Sequence, residues 1–533
     1  MRMISLFIQF YLITLSVAKT ASVVKGEKGF EVLKSRLRGS VAWGSYENTV
    51  NKTGWGVLDI HTNPKYTATD QAYAAGYIES YMTHHLIYLY WKNFLANEYN
   101  GKVPHRVREF FSMQFRFWKK NIFRKPDDFD DENYDEKYWS QQRLIYEQLK
   151  GLYVGYKHFS SACEKLKLED IYLLNSVGDL PTVSSKYSHG YGDNSMLDLQ
   201  EKHPDEIYHE CTAYIKFNNK TNDVIYSHNT WRPYYAMLRI YKNYYFPYTQ
   251  NAFPMSFASS PGLIHSKDDF YQLQSKNDHR RFGVMETTNS FYIKKLYKKI
   301  DPFTLLSWQR VLVAMYFQKT CKKVVETIGK YNSGTYNNQW MVLDLKNVTE
   351  HAKDNANLLF IGEQMPGRYE VLDVTPTLVK TTFWASYNTP YIKSIYINSG
   401  YLKKVKLGKK EYSYTKCTRA RLFKRDGARM HTIDDVKKLM TMNHYKTDKL
   451  AKKPRNQIAS RYDLEKYDMR APFGAVDCKI GAASLGKTTL AYCGPTKEGG
   501  LPPFDWKRFP KVQHDGTPAV FNFDWVEMTP MSD

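Results

Sequence analysis

A change of pattern between residues 176 and 211 limits most strongly what this chain can build. Ser176-Val177-Gly178-Asp179-Leu180-Pro181, and then Ser184-Ser185-Lys186-Tyr187-Ser188-His189-Gly190-Tyr191-Gly192-Asp193-Asn194-Ser195, concentrate residues that favour turns. Before this stretch two helical periods stand out. In one, Ala74, Tyr77, Ile78, Tyr81, Met82, His85, Leu86 and Leu89 share a face, with Thr69 or Asp70 placed to cap it. In the other, over 136–156, Tyr138, Ile145, Leu149, Leu152 and Tyr156 do the same. After the stretch the period becomes two. Residues 211–217 alternate, Asn218-Asn219-Lys220 forms a turn, and 223–228 reads as the second arm of a hairpin. Other strands are expected within 41–60 and over 339–345 and 368–373, and 231–244 reads as a helix. Acidic residues 125–135 read as a loop. Strands and helices mixed without a repeat imply α+β layers, with an exposed linker over about 176–200 that invites proteolysis.

The N-terminus gives the compartment. Met1-Arg2-Met3 precedes an apolar run, residues 4–15, and the small residues Ser16-Val17-Ala18. This is the form of a secretory signal peptide covering 1–18. As a membrane anchor the run would fall short of the ~20 residues that span a bilayer. The expectation is a secreted or lysosomal protein whose mature chain starts near Lys19. Asn51, Asn219 and Asn347 each begin an Asn-x-Thr sequon and are expected glycosylation sites. The six cysteines include no CxxC pair, which argues against a zinc site, and His84 and His85, being adjacent, point to different sides of their helix. The oxidising route permits disulfides, and Cys478 with Cys493 is the pairing expected from their closeness in sequence.

The chain has 533 residues and a formal charge of +22, enough for two to four domains or one large layered one. The lysines and arginines are spread rather than clustered, and no finger or basic-heptad pattern occurs, so nucleic acid is not an expected partner. Peripheral contact with anionic membranes is the reading that the charge supports. Gly481-Ala482-Ala483-Ser484-Leu485-Gly486-Lys487-Thr488 fits the pattern of a phosphate-binding loop. The residues after it reach Gly494-Pro495 within two turns, which leaves no helix for the loop to open, and nucleotide binding is not expected.

Several runs, taken in order, carry a resemblance. They are His209-Glu210-Cys211-Thr212-Ala213, Ser227-His228-Asn229-Thr230-Trp231, Ser259-Ser260-Pro261-Gly262, Asp268-Asp269-Phe270-Tyr271 and Glu286-Thr287-Thr288. Tyr331-Asn332-Ser333-Gly334-Thr335-Tyr336-Asn337-Asn338-Gln339-Trp340, Trp384-Ala385-Ser386-Tyr387-Asn388 and Ser460-Arg461-Tyr462-Asp463-Leu464 follow. From about Gly44 to Trp506 the chain resembles the phospholipase B-like family of N-terminal-nucleophile hydrolases. The resemblance implies a four-layer αββα sandwich of two stacked antiparallel sheets. It also implies self-cleavage between Glu210 and Cys211 into a light chain, 19–210, and a heavy chain, 211–533, that remain associated as one folded unit.

The implied activity is acyl hydrolysis, with fatty acids released from phospholipids through a thioester on Cys211 and no cofactor or metal. Cleavage would free the α-amine of Cys211, whose neutral form can take the thiol proton. By resemblance Asn388 donates to the oxyanion, and Arg461 supports the site by holding Asn388 or the Cys211 backbone, a salt bridge to Asp463 being its structural alternative. His228, 17 positions after Cys211, is placed by the hairpin to orient the amine or bind substrate. Trp231 is read as a pocket wall or core residue, and Thr230 and Glu286 as supporting hydrogen-bond partners. An N-acyl amide or peptide amidase, and a lipid-binding protein without turnover, are the alternative functions.

Overall fold

The computed structural model describes residues 18–124, 135–187, 210–248, 254–274 and 280–530. Residues 1–17 of the expected signal peptide, residues 125–134 of the expected acidic loop and residues 188–209, which include the rest of the expected linker, lie outside them. The strands in chain order are β1 (Lys19–Gly26), β2 (Gly29–Leu33), β3 (Ala42–Asn48), β4 (Trp55–Thr62), β5 (Cys211–Asn218), β6 (Asp223–Pro233) and β7 (Arg239–Tyr245). They continue with β8 (Met255–Ser259), β9 (Phe270–Gln274), β10 (Arg281–Thr288), β11 (Asn338–Asp344), β12 (Leu359–Met365), β13 (Arg368–Asp373) and β14 (Phe383–Ser386). The last are β15 (Phe473–Ala482), β16 (Thr489–Cys493), β17 (Phe504–Asp505), β18 (Val520–Phe521) and β19 (Val526–Met528).

Two main sheets result. One has eleven strands in the order β13-β12-β11-β10-β9-β8-β7-β4-β3-β1-β2, and the other has six, β14-β5-β6-β15-β16-β19. The larger sheet is antiparallel except where β4 runs parallel to β7. The chain is therefore a mixed α+β protein with two main sheets and helices.

Side-chain alternation sorts the core. Ala213, Ile215 and Phe217 of β5 join Met285 of β10 and Met341 of β11 in one apolar cluster, so it is shared by the two sheets. Tyr214, one position out of phase, packs instead with Leu422, Phe423 and Val436 from helices Thr418–Asp426 and Ile433–Met440. Val284 and Trp340 pack with the helices Ala68–Tyr99, His105–Ile122, Glu136–Phe159 and Ser307–Phe317. Both expected N-terminal helices are present, and the first is capped by Thr67, whose side chain accepts from the Asp70 N–H. The helix Ala68–Tyr99 also buries Glu79 in an ion pair with Lys242 at 2.6 Å. Among the described residues no helix is long and apolar enough to cross a membrane.

Four expectations meet the structure differently or sharpen. Residues 231–244 are not a helix. They finish β6, make one 3₁₀ turn (Tyr234–Ala236) and begin β7. Nearly all are buried on both faces, so no polar/apolar alternation betrays the strand. The turn-rich stretch is structured at its start, where Leu180–Tyr187 is helical. Cys478 and Cys493 are both free. Cys478 lies opposite Tyr492 and Cys493 opposite Asp477, so the one-residue offset sends the two thiols to opposite faces of the sheet, each into a different apolar cluster. The stretch 481–488 ends β15 and makes the turn to β16 rather than starting a helix, and Tyr226 packs against Gly481 where a side chain would stand.

Candidate active site

The hairpin β5–β6 and strand β15 build the site by register. Cys211 is paired with Thr230, Ala213 with His228, and Lys479 with His228 in turn. Residues two apart on one strand share a face, so the face that carries Ala213 into the inter-sheet core also carries Cys211. Side by side at this end of the sheet lie Cys211, Thr230, His228, Asp477 and Lys479, all buried.

Their bonds fix their states. The His228 Nε2–H donates to the Glu286 carbonyl at 2.8 Å, which leaves Nδ1 as an acceptor facing the Lys479 ammonium at 3.3 Å and the Thr230 hydroxyl at 3.4 Å. Burial, with Lys479 beside it, pushes His228 well below the usual imidazole range, so the ring is neutral. Lys479 also donates to Thr230 Oγ1 and Asp477 Oδ1, both at 2.5 Å. Asp477 meets Arg239 at 2.8 Å, and Arg239 is bound in turn to Asp268. Burial works to raise the Asp268 carboxyl, but Arg239, Lys479 and Arg232 outweigh it and hold it at about 2.

A second group of carboxyls behaves oppositely. The Tyr336 hydroxyl lies 2.8 Å from both Asp269 Oδ2 and Glu286 Oε1. Burial raises Asp269 to about 8, against the pull of Lys267, and burial together with Asp269 raises Glu286 well above the usual range. The Cys211 thiol is likewise pushed up by burial and by Glu286. The Cys211 sulfur, one ring nitrogen of His228 and one carboxylate oxygen of Glu286 fall within 4.8 Å of one another. Those are ligand types a metal takes, but both His228 nitrogens are engaged and an ammonium faces the ring, so a cation fits poorly there.

Around the Cys211 backbone the central residue is Arg419, on helix Thr418–Asp426. Its guanidinium donates to the Cys211 carbonyl at 2.6 Å, Thr212 Oγ1 at 2.7 Å, the Tyr387 carbonyl at 3.0 Å and Asn388 Oδ1 at 2.6 Å. It also stacks 4.4 Å from the centre of the Trp231 ring. The Asn388 amide, held at its oxygen by Arg419, donates through nitrogen to the Thr288 carbonyl at 2.7 Å. Asn388 has φ 64, a left-handed conformation that Asn tolerates better than most residues. Trp231 is fully buried and lines the cavity beside the site while packing on Tyr462 and Phe473. The Trp231 backbone N–H donates to the Glu210 carbonyl at 2.5 Å.

Cys211, His228, Thr230, Trp231, Glu286, Asn388 and Glu210 are thus brought together. Arg461 is elsewhere. Its guanidinium makes a two-point bridge to Asp463, at 2.8 and 2.7 Å, and donates to the Thr496 and Pro502 carbonyls. The bonds to Asn388 and the Cys211 backbone expected of it are made by Arg419. Sequence reasoning also passed over Lys479, though Asp477 and Lys479 stand two apart in an otherwise apolar strand, a legible sign of a buried polar face. A cavity of about 420 Å³ opens beside Glu210, lined by Trp231, Arg232, Lys267, Asn289 and Tyr336 among others.

Residues 42–528 match the phospholipase B family. The chain is similar to phospholipase B-like protein G of Dictyostelium discoideum, 35% identical over 528 residues that cover 91% of this chain and 86% of that protein. It is also similar to human phospholipase B-like 1, 35% identical with 96% and 91% covered. Phospholipase B of Crotalus adamanteus is 34% identical, with 95% and 92% covered.

Proposed function

The chain belongs to the phospholipase B family, and from that premise we propose that it is an acyl hydrolase, matured by self-cleavage before Cys211, that releases fatty acids from phospholipids. The observation that carries the reading is the bond from the Trp231 N–H to the Glu210 carbonyl at 2.5 Å. That oxygen belongs to the peptide bond to be cut. A backbone donor already aimed at it stabilises the charge that grows there when a nucleophile attacks.

In the uncut chain the Cys211 sulfur attacks the Glu210 carbonyl carbon, the C–N bond breaks, and the thiol proton ends on the departing nitrogen. Water then releases the Glu210 carboxylate from the thioester. Cys211 is left with a free amine and a regenerated thiol. In turnover the same sulfur takes the acyl group of a lipid ester, the alcohol departs with the thiol proton passed through the amine, and water frees the fatty acid. The Lys267 ammonium, 3.2 Å from the Glu210 carboxylate beside Cys211, disfavours a second positive charge there and so favours the neutral, basic form of the amine. Arg419 pins the Asn388 oxygen, and the amide N–H not spent on Thr288 is the donor for the lipid oxyanion. With Nε2–H given to a carbonyl and Nδ1 facing an ammonium, His228 positions its neighbours and is not the base. Thr230 and Glu286 complete the same hydrogen-bonded wall.

In this reading the apolar cluster shared by the sheets and the helices packed on their outer faces form a four-layer αββα sandwich. The two chains stay together, the protein is secreted or lysosomal, and glycans sit on Asn51 and Asn219, which are exposed, and on Asn347, which is partly so. The test is N-terminal sequencing of the heavy chain, together with fatty-acid release from phosphatidylcholine vesicles. The expected result is a chain starting at Cys211 that hydrolyses lipid, with both properties lost in Cys211→Ala. An uncut active protein overturns the maturation scheme. A cut protein that releases acyl groups only from amides moves the function to an amidase, and a cut protein that releases none moves it to a binding protein.

A further inference from the structure

In the uncut chain the carboxylate of Glu210 lies 3.2 Å from the Lys267 ammonium and 3.4 Å from the Thr288 hydroxyl. Lys267 is buried and has no other ion pair among the described residues. Its remaining bond is to the Tyr336 hydroxyl at 3.0 Å, with the ring of the same tyrosine 4.1 Å away. Two residues lining the same cavity hold further buried polar atoms without hydrogen-bond partners among the described residues: both amide atoms of Asn289, only 4% exposed, and Nη1 of Arg232, which stands 3.8 Å from the Asp268 carboxylate. The charged residues lining the cavity are Glu98, Glu210, Arg232 and Lys267, two of each sign. Glu98 is engaged by the Tyr235 hydroxyl at 2.8 Å, and burial raises its carboxyl to about 7. Departure of Glu210 therefore leaves Lys267 without a carboxylate in ion-pair contact among the described residues, in a buried space where an unpaired charge is costly.

We propose that Glu210 occupies, in the uncut chain, an oxyanion site that cleavage hands to the substrate, and that the ligand of this site is the phosphodiester of a lipid headgroup, held by Lys267, Thr288, Arg232 and Asn289. This inference rests on the acyl-hydrolase reading above and adds to it the group that selects the lipid. Glu210 is a suitable stand-in because a carboxylate and a phosphodiester both carry one negative charge over two free oxygens. The phosphodiester is favoured over a fatty-acid carboxylate because the site offers more than one carboxylate uses. Among the described residues Glu210 engages only Lys267 and Thr288 and leaves Arg232 Nη1 and Asn289 unused. Because Glu210 is bonded to Cys211, an anion in its place lies next to the nucleophile. The uncut chain is then blocked twice over, by a Cys211 without its free amine and by a filled headgroup site.

The test is binding by proteins that cannot cut or turn over, measured by calorimetry with glycerophosphocholine, inorganic phosphate and acetate as probes. Cys211→Ala keeps Glu210 in place, and Glu210→Ala combined with Cys211→Ala vacates the site without cleavage. Glycerophosphocholine is expected to bind the double variant about tenfold or more tightly than the single one, and adding Lys267→Met is expected to remove that gain. Thr288→Val, which leaves the buried ammonium in place, provides a milder loss should Lys267→Met fail to fold. Equal binding to the single and double variants, or none to either, overturns the proposal. Acetate binding as tightly as glycerophosphocholine makes this a fatty-acid site, and inorganic phosphate binding more tightly makes it a free-phosphate site; either result overturns the headgroup assignment. None of these measurements depends on lipid turnover, so a failure of the hydrolase reading is seen separately. In the cut protein, Lys267→Met is expected to raise KM for phosphatidylcholine about tenfold relative to an uncharged diacylglycerol, any loss of kcat through the Cys211 amine being common to both substrates, with Lys267→Arg restoring the ratio.

Discussion

Arg419 and Arg461 are both fully or nearly buried, and the protein satisfies them in opposite ways. Arg461 has a carboxylate two residues away, makes a two-point bridge to it, and is raised above its ordinary range because Asp463 outweighs the cost of burial. Arg419 has no carboxylate within ion-pair distance among the described residues. Its partners are two carbonyls, a hydroxyl, an amide oxygen and an indole face, and burial lowers it to about 10. A buried charge that is hydrogen-bonded but not neutralised is expensive. Its acceptors include the backbone of the proposed nucleophile and the proposed oxyanion donor. The difference separates an arginine that holds the fold from one whose cost is explained by what it positions.

The sharpest break of this comparison is Arg419→Met. It is expected to reduce both self-cleavage and fatty-acid release by about 100-fold or more, with little loss of melting temperature, since it removes an unneutralised charge. Mass spectrometry and vesicle assays read the first effect, and calorimetry the second. A variant that cuts and turns over normally removes Arg419 from the site. Arg461→Met should do the reverse. Stranding Asp463 is expected to cost about 3 kcal/mol in chemical denaturation, softened by Arg508, which also reaches Asp463 at 3.0 Å. Turnover per folded molecule should be unchanged. Arg419→Lys keeps the charge but loses the fork that reaches Cys211 and Asn388 at once, and about a tenfold drop in kcat is expected.

A last expected effect is a pH slope from the carboxyl groups beside Cys211. Asp269, at about 8, and Glu286, raised well above the usual carboxyl range by burial and by Asp269, keep their protons when the unfolded chain has already lost them. The native state thus binds more protons, and stability falls as pH rises between the unfolded carboxyl range and pH 8. Each such group contributes about 1.4 kcal/mol per pH unit. The melting temperature is expected to rise on acidifying from pH 8 to 6.5, and Asp269→Asn should flatten the slope. Below that window His265, lowered to about 4 by burial, works in the opposite sense. A melting temperature that climbs with pH over 6.5–8 contradicts the assignment.

The half of the site that a period of two arranges was legible. Cys211, His228 and Thr230 follow from one hairpin whose turn and alternation are visible in the sequence. Arg419 was hidden because its helix also holds Arg421, Lys424 and Arg425, and only burial distinguishes it. Its one signal is helical spacing, with Leu422 and Phe423 three and four positions on and on the same buried face. Arg461 drew attention by its motif, yet its natural partner Asp463 stood in the same motif. The strand β7 was unreadable for a different reason. A strand covered on both sides has no polar face to announce its period. The Cys478–Cys493 pairing failed on parity, which sequence distance does not reveal.

The parallel pairing of β4 with β7 runs for seven residue pairs, from Trp55 with Arg239 to His61 with Tyr245. It joins the strands that precede residue 210 to those that follow it. A chain broken before Cys211 is therefore still stitched through the middle of its larger sheet. Pulling the pieces apart would bare two long strand edges with unpaired backbone groups, the kind that recruit strands from other molecules. Separation of the halves thus leads toward aggregation rather than toward two soluble fragments, and halves produced apart would have to find this seam before they found each other's copies.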